Sequence, residues 1–258
     1  MSVSLYCFDF DGTLVDKEHT PAFDPMLAQH LGDARSDGAR WVINTGRSLM
    51  HTLDGVVGYG LSLAPDFIIA REHEIYTRNH VGRWVDLGDW NERCHRTHRK
   101  FYKQHRQVLA EIRAFIEKTD LGWWIEETGD PAGLITHDEK SMSEVMAFVE
   151  ARRERWPELG WQRNTIYLRF THCDFDKGSA LRELARQLGV PASAIFAAGD
   201  NFNDLSMLRR AVAHHLVCPA NALPEVKAQV LAEGGRVLSR NASRGMAEAL
   251  GLIRGLAA

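Results

Sequence analysis

Short apolar runs that do not alternate recur at both ends of this chain, each followed by a helical pattern. They read SLYCFDF at 4–10, WVINT at 41–45, DFIIA at 66–70, IFAAG at 195–199 and, more weakly, AVAHHLV at 211–217. A strand with one wet face alternates polar and apolar residues. Runs that are apolar throughout are expected of parallel strands covered on both faces. Parallel neighbours need a crossover, and the chain supplies candidates. KGSALRELARQLG places Leu181, Leu184, Ala185 and Leu188 on one helical face and ends at Gly189, a suitable C-cap. SLMHTLDGVV follows the second run and NDLSMLRRA follows IFAAG. This βαβ punctuation predicts an α/β fold built on a doubly wound, mostly parallel sheet.

The middle of the chain reads differently. From about residue 80 to 173 the tryptophans multiply, with Trp84, Trp90, Trp123, Trp124, Trp156 and Trp161. Two long helical patterns, NERCHRTHRKFYKQHRQVLAEIRAFIEK and SMSEVMAFVEARRERW, lie among strand-like pieces GRWVDL, WWIEET, GLITHD and NTIYLRFTHC. The last alternates Ile166, Leu168 and Phe170 with polar neighbours, as a half-exposed antiparallel strand does. The expectation is an α+β module inserted into the first. A chain of 258 residues, 45% apolar and 25% charged, has core enough for both.

Net charge of −3 gives no footing for a nucleic-acid or anionic-membrane partner. The basic stripe Arg93, Arg96, Arg99, Lys100, Lys103 and Arg106 reads as a solvated helix face opposite Phe101, Val108, Ile112 and Phe115. No stretch has the apolar length of a membrane span, and MSVSLYCFDFDG lacks the basic start and apolar core of an export signal. A cytoplasmic protein with reduced, mostly buried cysteines is expected. Cys94, His95 and His98 hint at a metal site but lack a second ligand pair.

Four chemistry-bearing clusters fall at strand ends or helix starts. Asp9 and Asp11 end the first run, and Thr45-Gly46-Arg47 ends the second. Lys177-Gly178 opens a later helix, and Gly199-Asp200-Asn201-Phe202-Asn203-Asp204 follows IFAAG. In an open parallel sheet ligands collect beyond the carboxyl ends of the strands, so the four clusters should face one place. Asp9, Asp11, Asp200 and Asp204 supply oxygen ligands suited to Mg²⁺. The cation would relieve the repulsion between Asp9 and Asp11 and bind a phosphoryl oxygen. Thr45, the amide of Gly46, Lys177 and Asn203 can donate to the other phosphoryl oxygens. One carboxylate attacking phosphorus forms an aspartyl-phosphate, and a second serves the leaving oxygen and then water. Each cluster alone has a plainer explanation: Asp-Gly as a turn, Lys177 as surface charge, Asn203 or Asp204 as a helix cap.

In order, DFDGTL, INTGR, DKGSAL and GDNFNDLSML resemble the four motifs of haloacid-dehalogenase-like (HAD) hydrolases. The placement of the insert resembles the C2 cap of subclass IIB, the group of Cof-type and sucrose-phosphate phosphatases. NALPEVKAQV at 221–230 is also similar to a segment of Cof-type members. The resemblance implies a Rossmann-like catalytic core at 1–80 and 174–258 and an inserted α+β cap at 81–173. It implies Asp9 as nucleophile and Asp11 as general acid/base. Asp9, the Asp11 carbonyl and Asp200 become the Mg²⁺ ligands, with Asp204 holding metal-bound water. Thr45 and Lys177 match phosphate-binding positions, with Gly46, Arg47 and Asn203 beside them, and Thr13 steadies the loop. The implied activity is hydrolysis of a small phosphorylated metabolite, a sugar phosphate by preference. A phosphotransferase or mutase would keep the same motifs, and a non-catalytic phospho-ligand binder would have lost some of the aspartates. The chain departs from many Cof-type members after the third strand, where it reads Arg71-Glu72-His73-Glu74-Ile75-Tyr76 in place of Asn-Gly before an A-x-I-Y-like segment. Specificity contacts are expected from that loop and from Arg169 and His172.

Overall fold

The computed structural model describes residues 3–127 and 130–255. By its contacts the chain divides into two units, Met1–Asn91 with Lys177–Ala258, and Glu92–Asp176. The first unit opens with β1 (Leu5–Phe8), α1 (Pro25–Ser36), β2 (Arg40–Asn44), α2 (Leu49–Gly58), β3 (Phe67–Ala70), β4 (Glu74–Arg78) and β5 (Trp84–Asp86). Next come α3 (Trp90–Gln104), α4 (Arg106–Thr119), β6 (Gly122–Glu127), β7 (Asp130–Thr136), α5 (Glu139–Glu150), β8 (Leu159–Asn164) and β9 (Tyr167–His172). The chain then returns through α6 (Lys177–Leu188), β10 (Ile195–Ala198), β11 (His215–Cys218), α7 (Pro224–Ala232), β12 (Arg236–Val237) and α8 (Ala242–Gly255).

The large sheet runs β12-β11-β10-β1-β2-β3-β4-β5. Its strands are parallel from β12 to β3, and β4 and β5 are antiparallel additions at one edge. Every residue of β1, β3 and β10 is buried, which is why these strands carry no polar alternation. Tyr6 and Phe8 join Trp41, Ile43 and Phe196 under α1 and α8 in one apolar core. Cys7 turns to the other face, where its thiol meets the Met207 sulfur at 3.9 Å. Phe8 sits level with Ile43 and with Ala198, so β1, β2 and β10 release their chains at the same edge. Strand order reverses across β1, and the switch point of an open α/β sheet is where a crevice opens.

The second unit is a sheet of order β6-β7-β9-β8 with its own core, which includes Phe101, Ile112, Leu134, Met142, Leu168 and Phe170. Four expectations change. GRWVDL supplies β5 of the large sheet rather than a piece of the insert, so the division falls after Asn91 and Asp176, not after 80 and 173. The first long helical pattern breaks at His105 into α3 and α4. The weak fifth run pairs only from His215 onward. NDLSMLRRA does not make a helix beyond the short turn Phe202–Asp204. The four cysteines form no disulfide, and all but Cys173 are buried. Among the described residues no helix is long and apolar enough to cross a membrane.

Candidate active site

Asp9 leaves the end of β1 with its N–H still bonded to Ala198 O, at 2.9 Å. The chain then curls back, with the Leu14 N–H bonded to Phe10 O at 3.1 Å and Gly12 N–H to Val15 O at 3.1 Å. Gly12 has φ +80, and a Cβ there would lie 2.7 Å from Asp200 Oδ2. The turn thus needs glycine for its backbone and for the space Asp200 occupies. Asp200 accepts 2.6 Å from the buried Thr13 hydroxyl, which ties the β1 loop to the β10 loop.

Lys177 begins α6 with its side chain fully buried and its ammonium between two carboxylates. Nζ donates to Asp9 Oδ1 at 2.5 Å and to Asp204 Oδ1 at 2.6 Å. A Cβ on Gly178 would meet Ser206 O at 2.3 Å, so only glycine lets α6 start this close to the β10 loop. The other Asp204 oxygen accepts the N–H groups of Asp200 at 2.8 Å and Asn201 at 2.9 Å. Burial, with the charges of Asp204 and Asp200, pushes the Asp9 carboxyl well above its ordinary range despite Lys177. Burial and the Asp204 charge push Asp200 up to about 7. Burial opposes the charge on Lys177, but Asp204, Asp9 and Glu72 outweigh it and hold the pKa above the usual lysine value.

Asp9, Asp200 and Asp204 bring carboxylate oxygens within 4.8 Å of one another. Three hard oxygen donors, two of them with pKa raised by burial and by neighbouring carboxylate charge, form a donor set that fits Mg²⁺. Lys177 supplies one positive charge, and a divalent cation would balance the rest. The Asp11 carboxylate stands outside this group. Arg47 holds it with two bonds of 2.7 Å from Nε and Nη2, and Lys17 adds a third contact of 2.7 Å. Burial would raise its pKa, but the bonds from Arg47 and Lys17 prevail and set it below the ordinary carboxylate range. Arg47 is itself braced over the Phe10 ring, 4.9 Å from its centre. The residue expected among the phosphate donors thus spends its guanidinium on Asp11.

Thr45 is buried after β2, with its N–H on Ile69 O at 2.8 Å and its hydroxyl accepting the Arg47 N–H at 3.2 Å. Asn203, also buried, donates from Nδ2 to Glu72 Oε1 at 2.7 Å, while its Oδ1 has no hydrogen-bond partner. The structure therefore gathers Asp9, Asp200, Asp204 and Lys177 around one point, with Thr45 and Asp11 in the loops that flank it. Lys17 escaped the sequence reading because nothing distinguishes an exposed loop lysine until the loop is folded. The Cys94-His95-His98 segment forms no ligand cluster among the described residues. Buried His98 turns Nδ1 to Cys94 O at 2.9 Å instead.

A model of the haloacid dehalogenase-like hydrolases matches residues 66–250, and the chain belongs to that family. A putative phosphatase of Bacillus subtilis, YxeH, is 24% identical over 86% of this chain and 89% of its own. The sucrose-phosphatase of Synechocystis sp. PCC6803, solved with sucrose and phosphate, matches at TM-score 0.76 and 18% identity, covering 98% of this chain and 99% of that one. A HAD subclass IIB sugar phosphatase matches at TM-score 0.65 and 19% identity, over 98% and 99%. At such identities the likeness is one of fold, and that fold is the one the subclass IIB resemblance implies.

Proposed function

We propose that the protein is a Mg²⁺-dependent phosphatase of a small phosphorylated metabolite, working through an aspartyl-phosphate on Asp9. The observation that carries this reading is the placement of Asp9. Its buried carboxylate leaves the switch-point strand in contact with Lys177, with an oxygen within 4.8 Å of those of Asp200 and Asp204. Asp9, the Asp11 carbonyl and Asp200 would hold the cation, with Asp204 behind them. The chemistry the cation would supply there is neutralisation of phosphoryl oxygen charge, which would also favour the ionised form of Asp9.

In the first step an Asp9 oxygen bonds to phosphorus and the ester P–O bond breaks. The leaving oxygen takes a proton from Asp11. In the second step Asp11 takes a proton from water, which attacks phosphorus and frees Asp9. Held by Arg47 and Lys17, Asp11 is ionised and suited to the second step. Donating a proton in the first requires its carboxyl to leave Arg47. Lys177 keeps Asp9 oriented, and Thr45 and the Gly46 amide receive phosphoryl oxygens. We also propose that the insert is the C2-type cap that the family resemblance implies. The sucrose-phosphatase and sugar-phosphatase names of the two structural neighbours support a sugar phosphate as the substrate class.

The test is a phosphate-release screen across small phosphomonoesters, with and without Mg²⁺. Turnover should appear only with the cation and vanish in Asp9→Asn. Release by Asp9→Asn at the wild-type rate would sink the reading.

A further inference from the structure

Glu72 is an acidic side chain that the phosphatase chemistry does not call for, and it is 4% exposed. It lies in the turn between β3 and β4. Arg71 and Glu72 both have left-handed backbone, at φ 48 and φ 69, a conformation that non-glycine residues hold only when their surroundings impose it. The imposing bonds come from the β2 loop. The Arg71 N–H donates to Arg47 O at 2.8 Å and the Glu72 N–H to Thr45 O at 2.9 Å. The turn that carries Glu72 is thereby bolted to the loop assigned to phosphate.

The side chain is aimed accordingly. Its Oε1 accepts the Asn203 amide at 2.7 Å. A Cβ placed on Gly46 would stand 3.2 Å from the same oxygen, so the carboxylate lies over that glycine. Lys177 also feels the Glu72 charge, after those of Asp204 and Asp9. Gly46 and Asn203 are among the groups expected to meet phosphoryl oxygens, and Lys177 bonds the Asp9 carboxylate assigned to phosphorus. A carboxylate among them puts a fixed negative charge where a phosphoryl group would carry its own.

We propose that Glu72 is an anion of the phosphoryl pocket that competes with phosphate for the Gly46 and Asn203 side of the site and so weakens retention of the inorganic phosphate product. The inference rests on the phosphatase reading and goes beyond it. A free phosphate dianion, without leaving-group contacts to offset the repulsion, is disfavoured most. The repulsion falls on the phosphoryl group of ester and product alike; the product, which keeps no leaving-group contacts, is left with the weaker net binding.

The test is Glu72→Gln, which keeps the shape and the acceptor for Asn203 but removes the charge. The readouts are inorganic phosphate binding to the Mg²⁺-loaded protein by titration calorimetry and phosphate inhibition of ester hydrolysis. Phosphate should bind about tenfold tighter or more in Glu72→Gln, with the inhibition constant falling in step. Glu72→Gly, which also relieves the left-handed backbone, is measured alongside so that a folding defect in one variant leaves the comparison intact. Wild-type hydrolysis with unchanged or weaker phosphate binding in both variants would overturn the role of Glu72 alone. No Mg²⁺-dependent hydrolysis of any ester by the wild type would overturn the phosphatase reading and this inference with it.

Discussion

Replacing Lys177 with methionine probes how the site is held together. The wild-type ammonium has no exposed surface and bonds Asp9 at 2.5 Å and Asp204 at 2.6 Å, the latter carboxylate itself fully buried. Methionine fills similar volume but leaves two buried carboxylates facing each other with no cation between them. Removing one partner of a buried ion pair costs roughly 3–5 kcal/mol, because the remaining charge keeps its desolvation penalty. In a unit of this size each kcal/mol moves the midpoint by about 2–4 °C, so melting should fall by about 6–20 °C in the metal-free protein. Mg²⁺ should restore part of the loss, and stabilise the variant more than the wild type, because it meets a site with one less positive charge. Thermal unfolding of both proteins, with chelator and with saturating Mg²⁺, measures each number. A loss below about 1 kcal/mol would mean that the carboxylates do not rely on Lys177, and would refute the reasoning.

Other consequences follow from the same geometry. Asp200, raised to about 7 in the folded state, stabilises the metal-free protein fully only below its unfolded value and loses that contribution as pH climbs through about 7. The stabilisation by Mg²⁺, read as the melting shift against chelator, should therefore be larger at pH 8 than at pH 6; the reverse order contradicts the assignment. Asp11 has the opposite sign. Its depressed pKa adds stability above the unfolded carboxylate value, and that stability drains as pH falls through the folded value. Arg47→Met should flatten this acid limb in melts between neutral and low pH, and an unchanged limb would show that Arg47 does not hold Asp11. Gly12→Ala forces a side chain onto φ +80 and into Asp200 Oδ2 at 2.7 Å. It should cost about 1–3 kcal/mol and weaken Mg²⁺ binding by calorimetry, whereas wild-type affinity would mean that the loop and Asp200 are not coupled.

The parallel half of the fold was legible because burial on both faces forbids alternation, and β1, β2, β3 and β10 kept nothing else to read. The gathering of Asp9, Asp200, Asp204 and Lys177 was legible for a related reason, since strand ends in such a sheet share an edge. Sequence pattern failed where a segment's neighbour decides its state. Residues 84–86 look like any short half-exposed strand, and only pairing with β4 assigns them to the large sheet. LGWQRN has little apolar content, and β8 exists because it lies along β9. His105 looks helical, yet its φ of −98 and ψ of 15 end one helix and begin another. The partners of Arg47 and Glu72 were hidden for a further reason. An arginine beside a phosphate loop and a glutamate in a turn each have several hydrogen-bonding groups within reach, and only the folded loops choose among them.

The central claim is that Asp9 takes the phosphoryl group. The most direct measurement is acid quench of the protein mixed with a turned-over phosphomonoester and Mg²⁺, followed by mass spectrometry of the peptide that contains Asp9. A phosphoryl adduct on Asp9, formed within a turnover, absent without Mg²⁺ and absent in Asp9→Asn, is the predicted result. Rapid phosphate release with no adduct on that peptide, or with the adduct on another residue, would contradict the account.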